Sequence, residues 1–561
     1  MKVAIVEVLS NPLSVEIKEF FLKQGASVFS CKVQEVPQVW ANVDLLIFVA
    51  SLGVAFRTCA PLLRNKMQDP GVLVVDSEGN FCIVLCGGHA KGANRVSRLL
   101  ARHLGAEAVV TTASCTFGVL SPEEIALRLG ASLEGDSHVL RVILRRLAKE
   151  EVVDFYFEPA LCPPPFPGYR CLPWQGVAPE REFVFFGERI LPGAKHIALR
   201  PKSLVLGVGF RSTVSLGEIE RALQDFFTKH AYALASLREI VTLHRKTSRL
   251  LPLAEKLGVP VTGVYEEELR KVQGEFSSPC AMKYLGIPGL VEPALALRGC
   301  TLLVGKTVYP GITFALGRKC EKWQGFLYLV SLGTGGRENL TPQALSALED
   351  SEWILGYQKY LNTLPLRFQR RILWEHTRMG EEVKRAELAV QLAARGNRVA
   401  LVSSGDVGVF GIVSPALELA LRYGVAWKIV PGVTACLYAA SRLGSPLVGG
   451  FAVVSLSDYL VPWERIQHDL EHLAQTDLAV AVYNIVGKGK EEKITFLKEI
   501  FSLYRSASLP VGIVWSSGKV DITPLQELDA SALTMQCTLI LPPRGVRVES
   551  GTLVVERGYP V

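Results

Sequence analysis

Several strand-to-loop segments carry the residue types that could do chemistry. In Cys86-Gly87-Gly88-His89-Ala90-Lys91-Gly92-Ala93-Asn94 a strand-like run passes into a helical pattern through three glycines. Glycine lets a backbone approach a ligand closely, and a helix N-terminus offers N–H groups to an anion or a developing oxyanion. His89 stands at that mouth, where a side chain titrating near neutrality could act as a general base. The alternative is a tight turn with a hydrogen-bonded imidazole. Further along, Val402-Ser403-Ser404-Gly405-Asp406-Val407-Gly408-Val409-Phe410-Gly411 and Val430-Pro431-Gly432-Val433-Thr434-Ala435 are strand ends that open on glycine and small polar residues. Ser455-Leu456-Ser457-Asp458 and Tyr483-Asn484 follow at two more strand ends. Open α/β sheets bind ligands outside the carboxyl ends of their strands, so these segments would line one crevice.

Other chemistries find less support. Gly207-Val208-Gly209-Phe210-Arg211-Ser212 and Gly333-Thr334-Gly335-Gly336-Arg337-Glu338 both lack the last glycine of a dinucleotide fingerprint, and no GxxxxGK[ST] phosphate loop occurs. This disfavours a nicotinamide-dependent oxidoreductase and an ATPase. The twelve cysteines include no CxxC pair, so no metal site is predicted and buried, reduced thiols are expected. Lys and Arg number 61 against 54 Asp and Glu, a net charge of +7 with no basic block, which argues against a nucleic-acid partner. No run approaches the roughly 18 apolar residues of a membrane helix. Met1-Lys2 leads directly into Val3-Ala4-Ile5-Val6, leaving no room for a signal peptide, so a cytoplasmic location is expected.

The elements that must position these residues follow from pattern. A chain of 561 residues, 49% hydrophobic and 20% charged, is long enough for three or four domains. Val3–Val8, Asp44–Ala50, Val72–Asp76, Phe81–Leu85 and Ala108–Thr111 read as strands, and Val96, Leu99, Leu100 and Leu104 recur at helical spacing. Ser121 to Glu124 and Ser215 to Glu218 are capping boxes, and Thr341-Pro342 fits an N-cap and first helical position. Strand–helix alternation predicts several doubly wound α/β domains. Seven prolines between Pro159 and Pro179 predict a loop or boundary, and Gly317 to Gln324 a short polar junction. The expected divisions are 1–145, 146–200, 201–316 and 326–561.

The glycine-rich segment at 86–94, with Gly53-Val54-Ala55-Phe56-Arg57 and Thr111-Thr112-Ala113, resembles the N-terminal domain of the cobalt-precorrin-5A hydrolase family of cobalamin biosynthesis. Gly207-Val208-Gly209-Phe210-Arg211, Gly286-Ile287-Pro288-Gly289-Leu290-Val291-Glu292-Pro293-Ala294 and Lys306 before Tyr309 are similar to its C-terminal domain. Ser114-Cys115 departs from the Thr-Asp more usual there. The 326–561 segment resembles the tetrapyrrole methylase family, a two-lobed α/β fold. Within it, Leu456-Ser457-Asp458-Tyr459-Leu460-Val461-Pro462-Trp463-Glu464 and Met379-Gly380-Glu381-Glu382-Val383-Lys384-Arg385-Ala386 look like the precorrin-3B C-17 methyltransferase branch. The departures are the 333–338 loop, Val407 where Pro or Ala is usual, and Ile485 where Pro is usual.

The resemblance implies a bifunctional enzyme. One half would use S-adenosyl-L-methionine to methylate C-17 of cobalt-factor III or precorrin-3B with ring contraction. The other would open the ring-A lactone of cobalt-precorrin-5A and release acetaldehyde. It implies cofactor contacts from Gly333, Gly405, Asp406, Val409, Phe410, Thr434, Ala435, Tyr483 and Asn484, with Asp406 alternatively capping its own turn. His89 would be catalytic. Arg57, Gly88, Asn94, Arg378, Arg385, Ser457 and Asp458 would bind substrate, the two arginines at 378 and 385 being alternatively solvated. Implied partners are small-molecule cobalt-corrinoids, cobalt entering only within the substrate, with a homodimer through the methylase half and transient contact with other pathway enzymes. The rival reading is a corrinoid-binding scaffold with one half inactive.

Overall fold

A computed structural model describes residues 1–8, 11–65, 68–88, 91–111, 118–273, 278–320, 322–487, 489–556 and 558. The chain forms two compact units, Met1–Trp323 and Gln324–Val561.

The first unit holds three sheets. Strands β1 (Lys2–Glu7), β2 (Ser27–Lys32), β3 (Leu45–Val49), β4 (Gly71–Val75), β5 (Phe81–Cys86) and β6 (Glu107–Val109) lie in the order 2-1-3-4-5-6. Only the β4–β5 pair is antiparallel. Every residue of β3 and β4 is buried, the continuous apolar run expected of strands covered on both faces. Helices Pro12–Lys23 and Ala93–Leu104 contribute to one covering core, and helix Leu52–Cys59 to the other.

The second sheet comprises β7 (Ala131–Gly135), β8 (Val153–Phe157), β9 (Tyr169–Pro173), β10 (Phe183–Phe186) and β11 (His196–Pro201), in the order 7-11-10-8-9. The boundary expected at 145 is therefore displaced, because β7 pairs antiparallel with β11 and draws residues from 131 onward into this sheet. The proline-rich stretch is also not a free loop. Pro163, Pro164 and Pro167 are buried, and Tyr169–Pro173 forms a strand at the sheet edge. An edge strand has one side without a ladder, so the proline there costs no pairing.

The third sheet, of β12 (Leu204–Phe210), β13 (Leu237–Leu243), β14 (Val261–Val264), β15 (Thr301–Tyr309) and β16 (Ile312–Arg318), has the order 14-13-12-16-15. Strands β12, β13 and β14 are parallel, and β16 runs antiparallel to its neighbours. The capping boxes at Ser121 and Ser215 are both formed and start helices Pro122–Arg128 and Leu216–Lys229.

Buried charge joins the second and third sheets. From the end of β16, the Arg318 guanidinium donates to Glu188 at 2.8 Å and to Glu158 at 2.9 Å. Glu188 is fully buried and Glu158 nearly so. The Glu158 carboxylate also accepts the backbone N–H groups of Glu188 and Arg189. Residues 317–324, expected to be a polar junction, are thus largely part of the first unit. Lys319 N–H donates to the Ser203 carbonyl at 2.8 Å, and the Trp323 ring packs on Phe186 at 5.9 Å. The polar composition hid one guanidinium and one indole with partners far away in sequence.

The second unit has two sheets and a hairpin. Strands β17 (Phe326–Ser331), β18 (Trp353–Gly356), β19 (Arg398–Ser403) and β20 (Ala426–Val430) are all parallel, in the order 18-19-17-20. Strands β21 (Phe451–Ser455), β22 (Ala479–Tyr483), β23 (Pro510–Trp515), β24 (Val520–Pro524) and β25 (Cys537–Leu541) take the order 21-22-25-23-24, with only β21–β22 parallel. Strands β26 (Arg547–Glu549) and β27 (Thr552–Val554) form the hairpin. Thr341 caps helix Pro342–Asp350. Among the described residues no helix is long and apolar enough to cross a membrane.

Replacing Arg318 by Met would leave Glu158 and Glu188 buried without their cation. Breaking a buried pair in this way costs about 3–5 kcal/mol, read as a loss in urea-unfolding free energy of the first unit. Burial already holds the Glu158 carboxyl above its ordinary range, ahead of its other influences. The folded state therefore keeps that proton to higher pH than the unfolded chain. The deficit of R318M should shrink as pH falls and widen as it rises.

Candidate functional site

In the second unit, three loops at the carboxyl ends of β17, β19 and β20 close on one another through backbone. Gly405 N–H donates to the Gly333 carbonyl at 2.6 Å, and Gly333 N–H to the Gly405 carbonyl at 3.1 Å. Both glycines have left-handed φ, +68° at 333 and +63° at 405. At Gly432, in the third loop, a Cβ would lie 2.4 Å from Ser331 Cβ and 2.8 Å from the Gly405 carbonyl oxygen. Only glycine fits there without displacing the other two loops. Asp406 fastens the same joint: one carboxylate oxygen accepts Gly408 N–H at 2.8 Å, the other Gly432 N–H at 2.9 Å. The turn-capping alternative for Asp406 is thus formed, together with a bond to the third loop.

The departure at 407 has its own compensation. Val407 is buried, and its N–H, which a proline would lack, donates to the Ser331 hydroxyl at 2.9 Å. Ile485, the other departure from proline, is buried in the core under β22. In the altered first loop Glu338 folds back on Gly336, where a Cβ would lie 2.1 Å from its carboxylate.

The second sheet of this unit meets the first at Tyr483. Its hydroxyl shares a hydrogen bond of 2.7 Å with Thr434 Oγ1 and accepts the N–H of Cys436, at the start of helix Ala435–Leu443. Burial raises the phenol well above its ordinary value, so it stays neutral. Phe410, at φ +52° and 53% exposed, packs edge-on to Tyr483 at 5.7 Å. Val409 N–H closes the turn on the Asp406 carbonyl. Asn484, also left-handed at φ +53°, donates through Nδ2 to Ser455 Oγ at 3.0 Å, and Ser457 N–H donates to the same hydroxyl. Gly333, Gly405, Asp406, Val409, Phe410, Thr434, Ala435, Tyr483 and Asn484 therefore lie on loops at the carboxyl ends of β17, β19, β20 and β22. Thr334 Oγ1 is buried beside Gly333 without a hydrogen-bond partner.

The substrate-binding expectations fare unevenly. Arg385 is 3% exposed, and its guanidinium donates to the carbonyls of His376 at 2.9 Å and Arg378 at 2.7 Å. It braces that loop and is not a free clamp for a carboxylate; a run of alternating charges gave no sign that one of them turns inward. Arg378 is exposed. Asp458 pairs with Lys493 at 2.8 Å, and Lys493, almost fully buried, also holds the Leu456 carbonyl at 3.1 Å. Sequence reasoning missed Lys493, one lysine among many charges on helix Lys490–Tyr504. It also missed Ser331, whose signal was a small residue at a strand end, and singled out Gly432 only as part of its loop.

In the first unit the 86–94 loop leaves β5 at the sheet edge where β4 begins. Gly87 has φ +70°, and a Cβ there would lie 2.6 Å from Gly71 Cα. The Gly87 carbonyl accepts the N–H groups of Lys91 and Ala93, and the Gly88 carbonyl accepts that of Asn94. Those three donors are spent on closing the loop and do not serve an oxyanion. Asn94 is buried. His89, Ala90 and residues 112–117, with Cys115, lie outside the described residues. Strand β6, parallel to β5, delivers Thr111 to the same edge. Arg57 is exposed on helix Leu52–Cys59. Burial pushes the thiols of Cys59 and Cys82 up to about 12 and that of Cys86 to about 11, whereas Cys162 and Cys320 are exposed. Among the described residues no three His, Cys, Asp or Glu side chains assemble as metal ligands.

An α/β unit whose glycine loops meet at the carboxyl ends of its parallel strands belongs to a class that binds small molecules there, and comparison makes it particular. The family of tetrapyrrole (corrin/porphyrin) methylases matches residues 327–529. The families described as Cobalamin synthesis G N-terminal and Cobalamin synthesis G C-terminus match 34–114 and 204–317. A probable cobalt-factor III C(17)-methyltransferase of Salmonella typhimurium is 31% identical over 240 residues, which is 42% of this chain and 99% of that protein. A second, of Methanothermobacter thermautotrophicus, is 36% identical over 236 residues, 41% of this chain and 66% of the relative. The crystal structure of the methyltransferase CobJ is 28% identical, covers 42% of this chain and all of that one, and has a TM-score of 0.40. The chain belongs to the tetrapyrrole methylase family, whose methyl donor is S-adenosylmethionine, and carries the two cobalamin synthesis G domains in its first unit.

Substituting Tyr483 by Phe would leave the Cys436 N–H and the Thr434 hydroxyl without their partner where the two sheets meet. A loss of about 1–3 kcal/mol in the unfolding free energy of the second unit is expected, measured by urea titration.

Proposed function

We propose that the chain is a bifunctional enzyme of cobalamin biosynthesis. Its second unit would methylate C-17 of cobalt-factor III or precorrin-3B, with ring contraction. Its first would open the ring-A lactone of cobalt-precorrin-5A and release acetaldehyde. The observation that carries the first activity is the closure of the Gly333, Gly405 and Gly432 loops in a segment 31% and 36% identical to two probable cobalt-factor III C(17)-methyltransferases.

The crevice fits S-adenosylmethionine by the chemistry of its lining. The cradle is main chain with small side chains, and the buried Thr334 hydroxyl has a hydrogen bond still to make. The backbone around Gly405, Val409 and Ala435 would hold the cofactor, with Asp406 and Tyr483 fixing the loops that carry those groups. When bound, the cofactor supplies a methyl group already activated by a sulfonium. What remains for the protein is orientation, which can supply about 7–11 kcal/mol of a barrier. A neutral Tyr483 fits that role, since burial keeps it from losing its proton at ordinary pH. Ser457, beside the Asp458–Lys493 pair at the end of β21, and the exposed Arg378 are the groups proposed to face the macrocycle.

For lactone opening, His89 is the proposed general base. Gly88, Asn94 and Arg57 are its proposed companions in binding.

The test is incubation of the full chain with cobalt-factor III and labelled S-adenosylmethionine, followed by mass analysis; transfer of one methyl group is expected. No transfer by folded protein would favour the scaffold alternative. H89N should lose acetaldehyde release from cobalt-precorrin-5A by at least about a hundredfold, the usual scale of a lost general base, and keep methyl transfer. Full release by H89N would return His89 to a structural role.

A further inference from the structure

The third sheet carries an unbalanced cluster of positive charge at an edge that neither catalytic proposal uses. Parallel strands β12, β13 and β14 end together at Phe210, Leu243 and Val264. Arg211 follows β12, and His244, Arg245, Lys246 and Arg249 follow β13. Four basic residues therefore follow the carboxyl ends of β12 and β13, with Arg245 and Arg249 close enough to repel Lys246. The charged groups facing them are few. Glu266 pairs with Arg245 at 3.4 Å, and the Glu218 carboxylate is engaged with Ser215 in its capping box. Among the described residues Arg211, Lys246 and Arg249 have no carboxylate partner.

Two of these cations are held in place by neutral groups. Lys246 Nζ donates to the Phe210 carbonyl and sits 4.8 Å from the centre of the Phe210 ring. Arg249 donates to the carbonyls of Ser212 at 2.8 Å and Val214 at 2.7 Å. Burial, and then repulsion from Arg245 and Arg249, lower the affinity of Lys246 for its proton. The arrangement also works against the fold. Basic residues crowd the start of helix Thr247–Leu257, whose first turn contains no acid, so their charge adds to the positive end of the helix dipole. Mutual repulsion at a fixed place is what an anionic ligand relieves.

Beside the cations lies a flat apolar surface. The His244 and Tyr265 rings stack at 4.5 Å and 25°, and Tyr265 is 52% exposed. The stack depends on Gly263, where a Cβ would lie 2.7 Å from His244 Cα. Arg245 bridges the two features, since Glu266 is the neighbour of Tyr265.

We propose that the carboxyl edge of β12, β13 and β14 binds a flat polycarboxylate, its carboxylates meeting Arg211, Lys246 and Arg249 and its ring face meeting the His244–Tyr265 stack. This deepens, and rests on, the reading that the first unit acts on a carboxylated tetrapyrrole; the third sheet is then the part that holds it.

Fluorescence titration of the full chain with uroporphyrin III tests this, with inorganic phosphate as a second probe. Wild type should show two binding events, one in the methylase crevice and one at this edge. The double variant R211E/K246E should weaken one event by about tenfold or more, as loss of charge-assisted contacts requires, and leave methyl transfer unchanged. Among the described residues the Arg211 side chain makes no hydrogen bond or ion pair, so R211E alone serves if the double variant melts early, with a smaller loss expected. Both events surviving in folded R211E/K246E would overturn the proposal. So would millimolar phosphate displacing the probe from the edge, which would make it a simple anion site. Loss of the edge event in the variant upholds the site even if wild type releases no acetaldehyde; that failure would count against the hydrolase reading instead.

Discussion

The second unit depends on how closely three backbones can approach. The loops after β17, β19 and β20 come within hydrogen-bonding distance because position 432 carries no side chain and the glycines at 333 and 405 take left-handed φ. Asp406 and Ser331 then fix the spacing from either side, each accepting a backbone N–H across the joint. Tyr483 extends the restraint to the other sheet through its hydrogen bond with Thr434. A site built from main chain has little need for reactive side chains. Its work is to hold two ligands in line, which suits transfer of a group that arrives already activated.

The first unit uses another device. Apolar cores cover its first and third sheets on both faces and its second on one, but the second and third are joined through Arg318, Glu158 and Glu188. Two carboxylates sharing one guanidinium leave excess negative charge in a dry place, partly offset by backbone N–H donors at Glu158 and the Ser203 hydroxyl at Glu188. Such a cluster gives little net stability and much directionality, because its geometry permits one docking of the sheets. The same principle in reverse describes the edge at Arg211 and Lys246, where positive charge is gathered without its complement.

Much of this was legible in the sequence. The strand spans, the capping boxes at Ser121 and Ser215 and the cap at Thr341 follow from local rules that tertiary packing did not override. The crevice was legible because glycine after a strand has a short list of physical reasons. Long-range pairing was not. Nothing local to residues 131–135 says that they pair with 197–201, and nothing in a proline-rich stretch says which edge strand will tolerate it. Buried charge was the other blind spot. Arg385 read as a substrate clamp or a solvated side chain, and Lys493 and Arg318 went unremarked, because their partners are carbonyls or carboxylates set by the fold.

The central claim is that the glycine clasp is the cofactor site, and calorimetric titration of the full chain with S-adenosylmethionine tests it most directly. Wild type should bind one equivalent. G432A, whose added carbon would press on Ser331 and on the Gly405 carbonyl, should bind at least about tenfold more weakly, equivalent to 1.4 kcal/mol, while the first unit melts unchanged. Equal binding by wild type and G432A, or none by folded wild type, would contradict the account.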